Sequence, residues 1–181
     1  MKKTKYILCW GLAFSEERDM KRLGNYAKDG WFLEKLTPFG YRLKRGKPQQ
    51  IEYSLDYQNN PDQEYFLFFK ETGWFHVCSI GEEIHIFQAP SGTKPIYSDQ
   101  STKIEKYARE QRQIAKVAFP ALLLTLFCFF LKGSGLPSLV PKILGQISSV
   151  LIIPSFIALV FSGLPCLAYT FKIRKLKKDS I

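Results

Sequence analysis

The chain has 181 residues, of which 26 are basic and 16 acidic, giving a formal charge of +10, and it holds two histidines and four cysteines. The charge is uneven: 15 basic and 14 acidic residues lie up to Glu105, whereas 11 and 2 lie beyond it. A nucleic-acid binder needs its cations on a folded domain, where they neutralise phosphates, so the near-neutral first part argues against a nucleic-acid partner. Cations at the ends of apolar runs fit cytoplasmic loops and anionic lipid headgroups instead.

Residues 6–14 are dense in aromatic and aliphatic side chains and predict a central strand. With Lys2, Lys3 and Lys5 ahead of it and Ala13-Phe14-Ser15 at its end, this run imitates a signal peptide. Cleavage would export the domain and leave the basic flanks of both later apolar runs on the wrong side, so the run is assigned to the folded domain. A helix follows, with Ser15 as N-cap, Glu16, Glu17 and Asp19 in its first turn, Met20, Leu23 and Ala27 at helical spacing, and Gly30 in a left-handed terminal position.

Residues 31–36 and 41–45 predict two strands, and Gly46-Lys47-Pro48 turns the chain again. Ile51, Tyr53, Leu55 and Tyr57 alternate with Glu52, Ser54 and Asp56, which predicts a strand with one buried face and one wet face, Asp56 on the latter. Asn59-Asn60-Pro61-Asp62 is a turn, and residues 64–72 predict a helix ended by Gly73. Tyr26-Ala27-Lys28-Asp29-Gly30-Trp31-Phe32 is similar to Phe69-Lys70-Glu71-Thr72-Gly73-Trp74-Phe75, which suggests that residues 6–45 and 51–88 are two copies of a strand-helix-strand-strand unit. The expected class is α+β: an antiparallel sheet with helices on one face and a cleft between the halves, followed by a two-helix transmembrane hairpin. Paired units of this topology resemble some bacterial small-molecule-sensing domains, an analogy of fold alone.

The expected organisation is a cytosolic domain over residues 1–97, a basic juxtamembrane helix over 98–116 capped by Ser98 or Asp99, a hairpin over 117–171, and a basic tail over 172–181. The first span covers about residues 117–131; the second, within the uncharged run 143–171, covers about 146–171. Pro154 and Pro165 interrupt the second, and Gly145 with Ser149 forms a small pair suited to close helix approach. Lys106, Arg109, Arg112 and Lys116 precede the first span, and Lys172, Arg174, Lys175, Lys177 and Lys178 follow the second, while residues 133–141 hold no cation. The bias predicts a multi-pass protein of the cell membrane with both termini cytoplasmic, these nine side chains meeting the headgroups and the short connection outside.

Tyr53-Ser54-Leu55-Asp56-Tyr57, Glu64-Tyr65, Gly73-Trp74, the hairpin ending near Phe87 and the following Ser98-Asp99 form a pattern over roughly residues 14–106. It resembles a Gram-positive bacterial family of domains of unknown function that are often followed by membrane spans. Members of that family often carry Arg where this chain has Ser54. The resemblance implies an association with PadR-type regulators, hence a protein partner such as a transcription regulator, and no catalytic residue.

The chemistry on offer is sparse. A two-residue turn after Ile80 would set Cys78 opposite His85 and His76 opposite Phe87, aligning His76, Cys78 and His85 on one face, yet a zinc site needs a fourth ligand and no other histidine exists. A hairpin surface without metal is expected, with reduced thiols, no disulfide and no cofactor. Glu16 and Glu17 suit a helix start and Glu82 and Glu83 a turn, and no Gly-rich phosphate loop or GxSxG motif is present. Trp10, Trp31, Trp74, Tyr41, Tyr53, Tyr57 and Tyr65 mostly serve packing, the remainder being available to line a cleft. The expected function is regulatory or sensory, through a cytosolic ligand- or partner-binding domain without catalysis. The alternatives are an adaptor tethering a protein partner to the membrane and, third, a membrane-surface enzyme.

Overall fold

Period-two patterning and glycine punctuation divide the first hundred residues into strands and helices of ordinary length. The computed structural model describes residues 4–97, 100–133 and 142–179. In chain order the elements are β1 (Thr4–Leu8), α1 (Leu12–Lys28), β2 (Trp31–Thr37), β3 (Gly40–Arg45), β4 (Ile51–Tyr57), α2 (Gln63–Glu71), β5 (Phe75–Ile80), β6 (Ile84–Pro90), α3 (Gln100–Gly133) and α4 (Lys142–Lys178). The chain falls into two units, Met1–Lys106 and Tyr107–Asp179.

In the first unit the strands form two antiparallel three-stranded sheets, ordered β1-β3-β2 and β4-β6-β5. Both place their third strand between the first and second, so the strand-helix-strand-strand unit recurs with the same topology, and the fold is α+β as expected. Gly30 and Gly73 close the two helices at φ 78 and 87, matching the shared Gly-Trp step. Asp62 caps α2 by accepting the Tyr65 amide at 2.8 Å.

One strand departs from expectation. Among the described residues β1 pairs with β3 alone and is an edge strand that stops at Leu8, and its aromatic density does not correspond to burial: Tyr6 and Leu8 are 51% and 63% exposed. The two halves are interlocked, since α1 packs on β4 of the second half as well as on β2, and β2 packs on β5. A Cβ at Gly24 would lie 3.1 Å from the Ile51 carbonyl oxygen, so a residue without one lets the helix approach that strand. Met20, Leu23 and Ala27 fill the core with Leu33, Leu36, Leu43, Leu55 and Ile86. Under α2, Phe69, Trp74, Phe87 and Ala89 form an aromatic cluster.

The second unit holds an antiparallel helix pair, residues 107–133 of α3 and α4. The buried positions Ala121, Thr125 and Cys128 recur at steps of four and three on α3, and Ser148, Ser155, Ser162 and Tyr169 recur every seven on α4. That repeat keeps one narrow seam facing the partner, and its small side chains allow close packing. Thr125, Ser155 and Ser162 return their hydroxyl protons to carbonyls of their own helix at 2.7–3.0 Å, so the seam exposes no unmet donor there. Phe119, Phe130, Val150, Ile153 and Phe161 point outward. Both helices are long and apolar enough to cross a membrane. The Ser98 or Asp99 cap, Lys2 and Lys3, and the connecting segment 134–141 lie outside the described residues, as does the side-chain environment of Gly145.

Candidate functional site

The start of α1 sets the polar interior. The chain leaves β1 through Gly11 at φ 87, makes one helical turn, and breaks helical geometry at Ser15 (φ −134, ψ 19). Ser15 therefore does not accept a backbone amide as a cap. Its hydroxyl lies 3.2 Å from the Gly11 carbonyl and 3.3 Å from Asp19 Oδ2, either of which can take its one proton. From this restart Glu16 and Asp19, three residues apart on one face, both turn inward and are 4% and 1% exposed.

Lys106 answers the Glu16 charge. Its Nζ donates to Glu16 Oε1 and to the Leu55 carbonyl, and it lies 5.4 and 5.0 Å from the ring centroids of Tyr57 and Tyr97. Tyr57 donates its hydroxyl to Glu16 Oε2 at 3.3 Å. An isolated buried ion is expensive, and two opposite charges held by further donors, a carbonyl and aromatic faces make the burial tolerable. Lys106 was expected at the lipid headgroups; the structure instead draws it inside the first unit, because a buried carboxylate there supplies the partner that bulk water would otherwise replace. Asp56, expected on a wet face, is 1% exposed and accepts hydrogen bonds from the hydroxyls of Tyr65, at 2.9 Å, and Tyr97.

Beside this lattice a cleft of about 430 Å³ opens between α1 and β4, with Glu16, Met20 and Gly24 on one wall and Tyr53, Ser54 and Leu55 on the other. Tyr53 is fixed by accepting the Leu33 amide at 3.2 Å, and burial raises its phenol above the ordinary range. The cleft therefore runs between the two repeats, with Glu16 among the residues of one wall and Tyr53 among those of the other.

Among the other interface candidates, Arg109 and Lys172 are half-buried, and Arg112, Lys116, Arg174, Lys175, Lys177 and Lys178 are exposed. Gln111 donates to Thr170 at 2.7 Å, the rings of Tyr107 and Tyr169 lie 5.9 Å apart, and Lys172 sits 4.8 Å over Tyr107. These contacts bring the basic end of α3 and the basic end of α4 to the same end of the helix pair.

The β5–β6 hairpin differs from expectation in register. His76 does face Phe87, but a bulge between His76 and Cys78 sets Cys78 opposite Ile86 and brings Ser79 opposite His85. His85 is 2% exposed rather than a surface residue. Its Nε2 lies 2.9 Å from the Gln58 carbonyl, its Nδ1 2.7 Å from Ser79 Oγ, and Ser79 Oγ 2.8 Å from His76 Nε2. A carbonyl only accepts, so His85 donates from Nε2, Ser79 donates to Nδ1, and His76 donates to Ser79. Sequence alone hid this chain, since the bulge that creates it carries no glycine or proline signal. Among the described residues no three His, Cys, Asp or Glu side chains gather as a metal site. Burial raises the Cys9 thiol above its ordinary value and pushes Cys78 up to about 11, so both are poor nucleophiles at neutral pH.

No curated protein and no solved structure matches the chain. A family model described as Protein of unknown function (DUF2812) matches residues 15–119, which run from the restart of α1 into α3. The match covers more than half of the chain and contains Glu16, the cleft walls, the hairpin and Lys106, and on that basis the chain belongs to the DUF2812 family.

Proposed function

We propose that the chain is a membrane-anchored, non-catalytic sensor whose cytosolic domain takes a small ligand into the cleft between α1 and β4. The observation that carries this reading is the buried Glu16–Lys106 pair: Glu16 is among the residues lining the cleft, and Lys106 belongs to α3, a helix that runs on through Pro120 and whose later turns are apolar enough to enter a bilayer. A ligand that shifts α1 against β4 would move Glu16 and so alter the hold on Lys106, and α3 is the covalent route onward. The clustering of basic residues at one end of the helix pair supports an orientation with both termini in the cytoplasm and the connection outside.

The test uses the full chain in detergent micelles. Fractions of a cytosolic metabolite extract are screened for a rise in melting temperature, in parallel with the cleft-filling variant Ser54→Trp. A fraction that protects the wild type and leaves the variant unmoved supports the sensor. Protection of both to the same extent, or of neither, refutes it. The adaptor reading, in which the domain tethers a protein partner such as a transcription regulator, draws on one feature, the exposed apolar group Leu67, Phe68 and Phe75 on α2 and β5.

A further inference from the structure

Among the described residues of the first unit eight large apolar side chains are exposed, and five of them, Tyr6, Leu8, Trp10, Phe14 and Phe39, gather at one end of the sheet β1-β3-β2. The backbone brings them together. Leu8 stands opposite Gly40 in the ladder, a Cβ on Gly40 would lie 2.9 Å from the Tyr6 ring, and the Cys9 amide donates to the Phe39 carbonyl at 3.0 Å. Trp10 comes next, and Phe14 sits in the first turn of α1 with its amide donating to the Gly11 carbonyl at 3.0 Å. Exposures run from 51% for Tyr6 to 74% for Phe39, so none of the five belongs to the core. A contiguous group of this kind on a folded unit marks a surface that something covers.

The charge beside it says what the cover is. Arg18 and Arg22, one turn apart on α1, border the group: the Arg18 guanidinium lies 5.9 Å from the Trp10 ring centroid, and Arg22 Nη1 donates to the Leu8 carbonyl at 3.0 Å. Of the neighbouring acids on α1, Asp19 is 1% exposed and Glu17 lines the cleft toward β4, so the charge presented next to the rings is positive. By contrast, Leu67 and Phe68 on α2 share their face with the exposed Glu64 and Glu71, which an anionic surface would repel. An anionic surface is also close along the chain, since the apolar run of α3 opens at Val117, 11 residues after Lys106, or roughly 16 Å of helix at about 1.5 Å per residue. Tryptophan and its aromatic neighbours favour the headgroup region of a bilayer, and guanidinium groups there meet lipid phosphates.

We propose that this group docks the first unit onto the anionic surface of the bilayer that α3 and α4 cross, with Trp10, Phe14 and Phe39 among the headgroups and Arg18 and Arg22 against lipid phosphates. Docking rests on the membrane-anchored reading and is independent of the cleft between α1 and β4, which has other walls.

The full chain is reconstituted into vesicles of equimolar phosphatidylcholine and phosphatidylglycerol whose acyl chains are brominated to quench tryptophan. Trp10, Trp31 and Trp74 all lie in the first unit, so quenching reads contact between that unit and lipid. Bromination should lower the emission by about one third, the share of one tryptophan in three, and Trp10→Phe should abolish that loss. The exposed pair Phe14→Ser and Phe39→Ser, which leaves the reporter in place, should restore most of the emission. Arg18→Gln with Arg22→Gln should do the same, each arginine changing the ratio of docked to free unit about fivefold, and so should salt at about 1 M, which shortens screening to about 3 Å. Emission unmoved by bromination, as a second copy or another protein covering the group would give, overturns the proposal, and so does quenching that persists in Trp10→Phe or in the arginine pair. Extraction of the chain from the vesicles by alkaline carbonate would overturn the anchored reading and docking with it, whereas a chain that resists extraction but is not quenched overturns docking alone.

Discussion

Replacing Lys106 by Met removes the cation from a pair whose side chains are 4% and 5% exposed. At the surface such a pair would contribute at most about 1 kcal/mol, but here the substitution strands the Glu16 carboxylate in a site shut off from water, which costs about 3–5 kcal/mol. In a unit of this size each kcal/mol moves the melting temperature by about 4–8 °C, so Lys106→Met should lower it by roughly 12 °C or more. The three tryptophans, Trp10, Trp31 and Trp74, all precede Lys106, so intrinsic fluorescence of the full chain in micelles reports melting of the first unit alone. Glu16→Gln should be costly for the complementary reason. The double variant Glu16→Gln, Lys106→Met, with no stranded charge, should recover most of the loss. A melting temperature unchanged in Lys106→Met, or a double variant no better than either single one, would refute the assignment of a buried, coupled pair.

Burial, and then the neighbouring His85, hold the His76 imidazole below its ordinary value of 6.5. The unfolded chain therefore takes up this proton first, and the stability tied to a neutral His76, intact above about pH 6.5, is lost as pH falls through the window below it. Melting temperatures recorded between pH 7.5 and 5 should drop less steeply in His76→Gln than in the wild type. Cys78, pushed up to about 11 by burial, should react with iodoacetamide at pH 8 far more slowly than free cysteine, and its rate should climb about tenfold per pH unit toward pH 10, as mass spectrometry of the labelled peptide would show. Gly30 has φ +78, and a Cβ there would stand 2.7 Å from the Gly46 carbonyl oxygen, so Gly30→Ala should cost about 1–3 kcal/mol in the same melting assay, whereas Gly81→Ala, with nothing within 4 Å, should cost less.

Much of the first unit could be read in advance where a local rule governs. Gly30 and Gly73 announce helix ends, the alternation from Ile51 to Tyr57 announces β4, and the similarity of their flanking segments announces the repeat. What escaped depends on partners far along the chain. β1 has the composition of a central strand, yet nothing near it in sequence says which of its edges stays unpaired. Asp56 follows the period-two rule on its own strand, but Tyr65 and Tyr97 cover the face that the rule leaves to water. Lys106 shares its sequence context with Arg109 and Arg112, and only the carboxylate 90 residues earlier distinguishes it. The polar chain through Ser79 rests on a one-residue bulge that alternation cannot foresee.

The crossing of α1 onto β4 bears on how the polypeptide is made. The helix is complete at Lys28, but the strand that shields it ends at Tyr57, 29 residues later. At about 5–20 residues per second the ribosome needs about 1.5–6 s to deliver that cover, during which α1 has only β2 to pack on. A synonymous slow codon placed before Ile51 would lengthen that wait without altering the finished molecule.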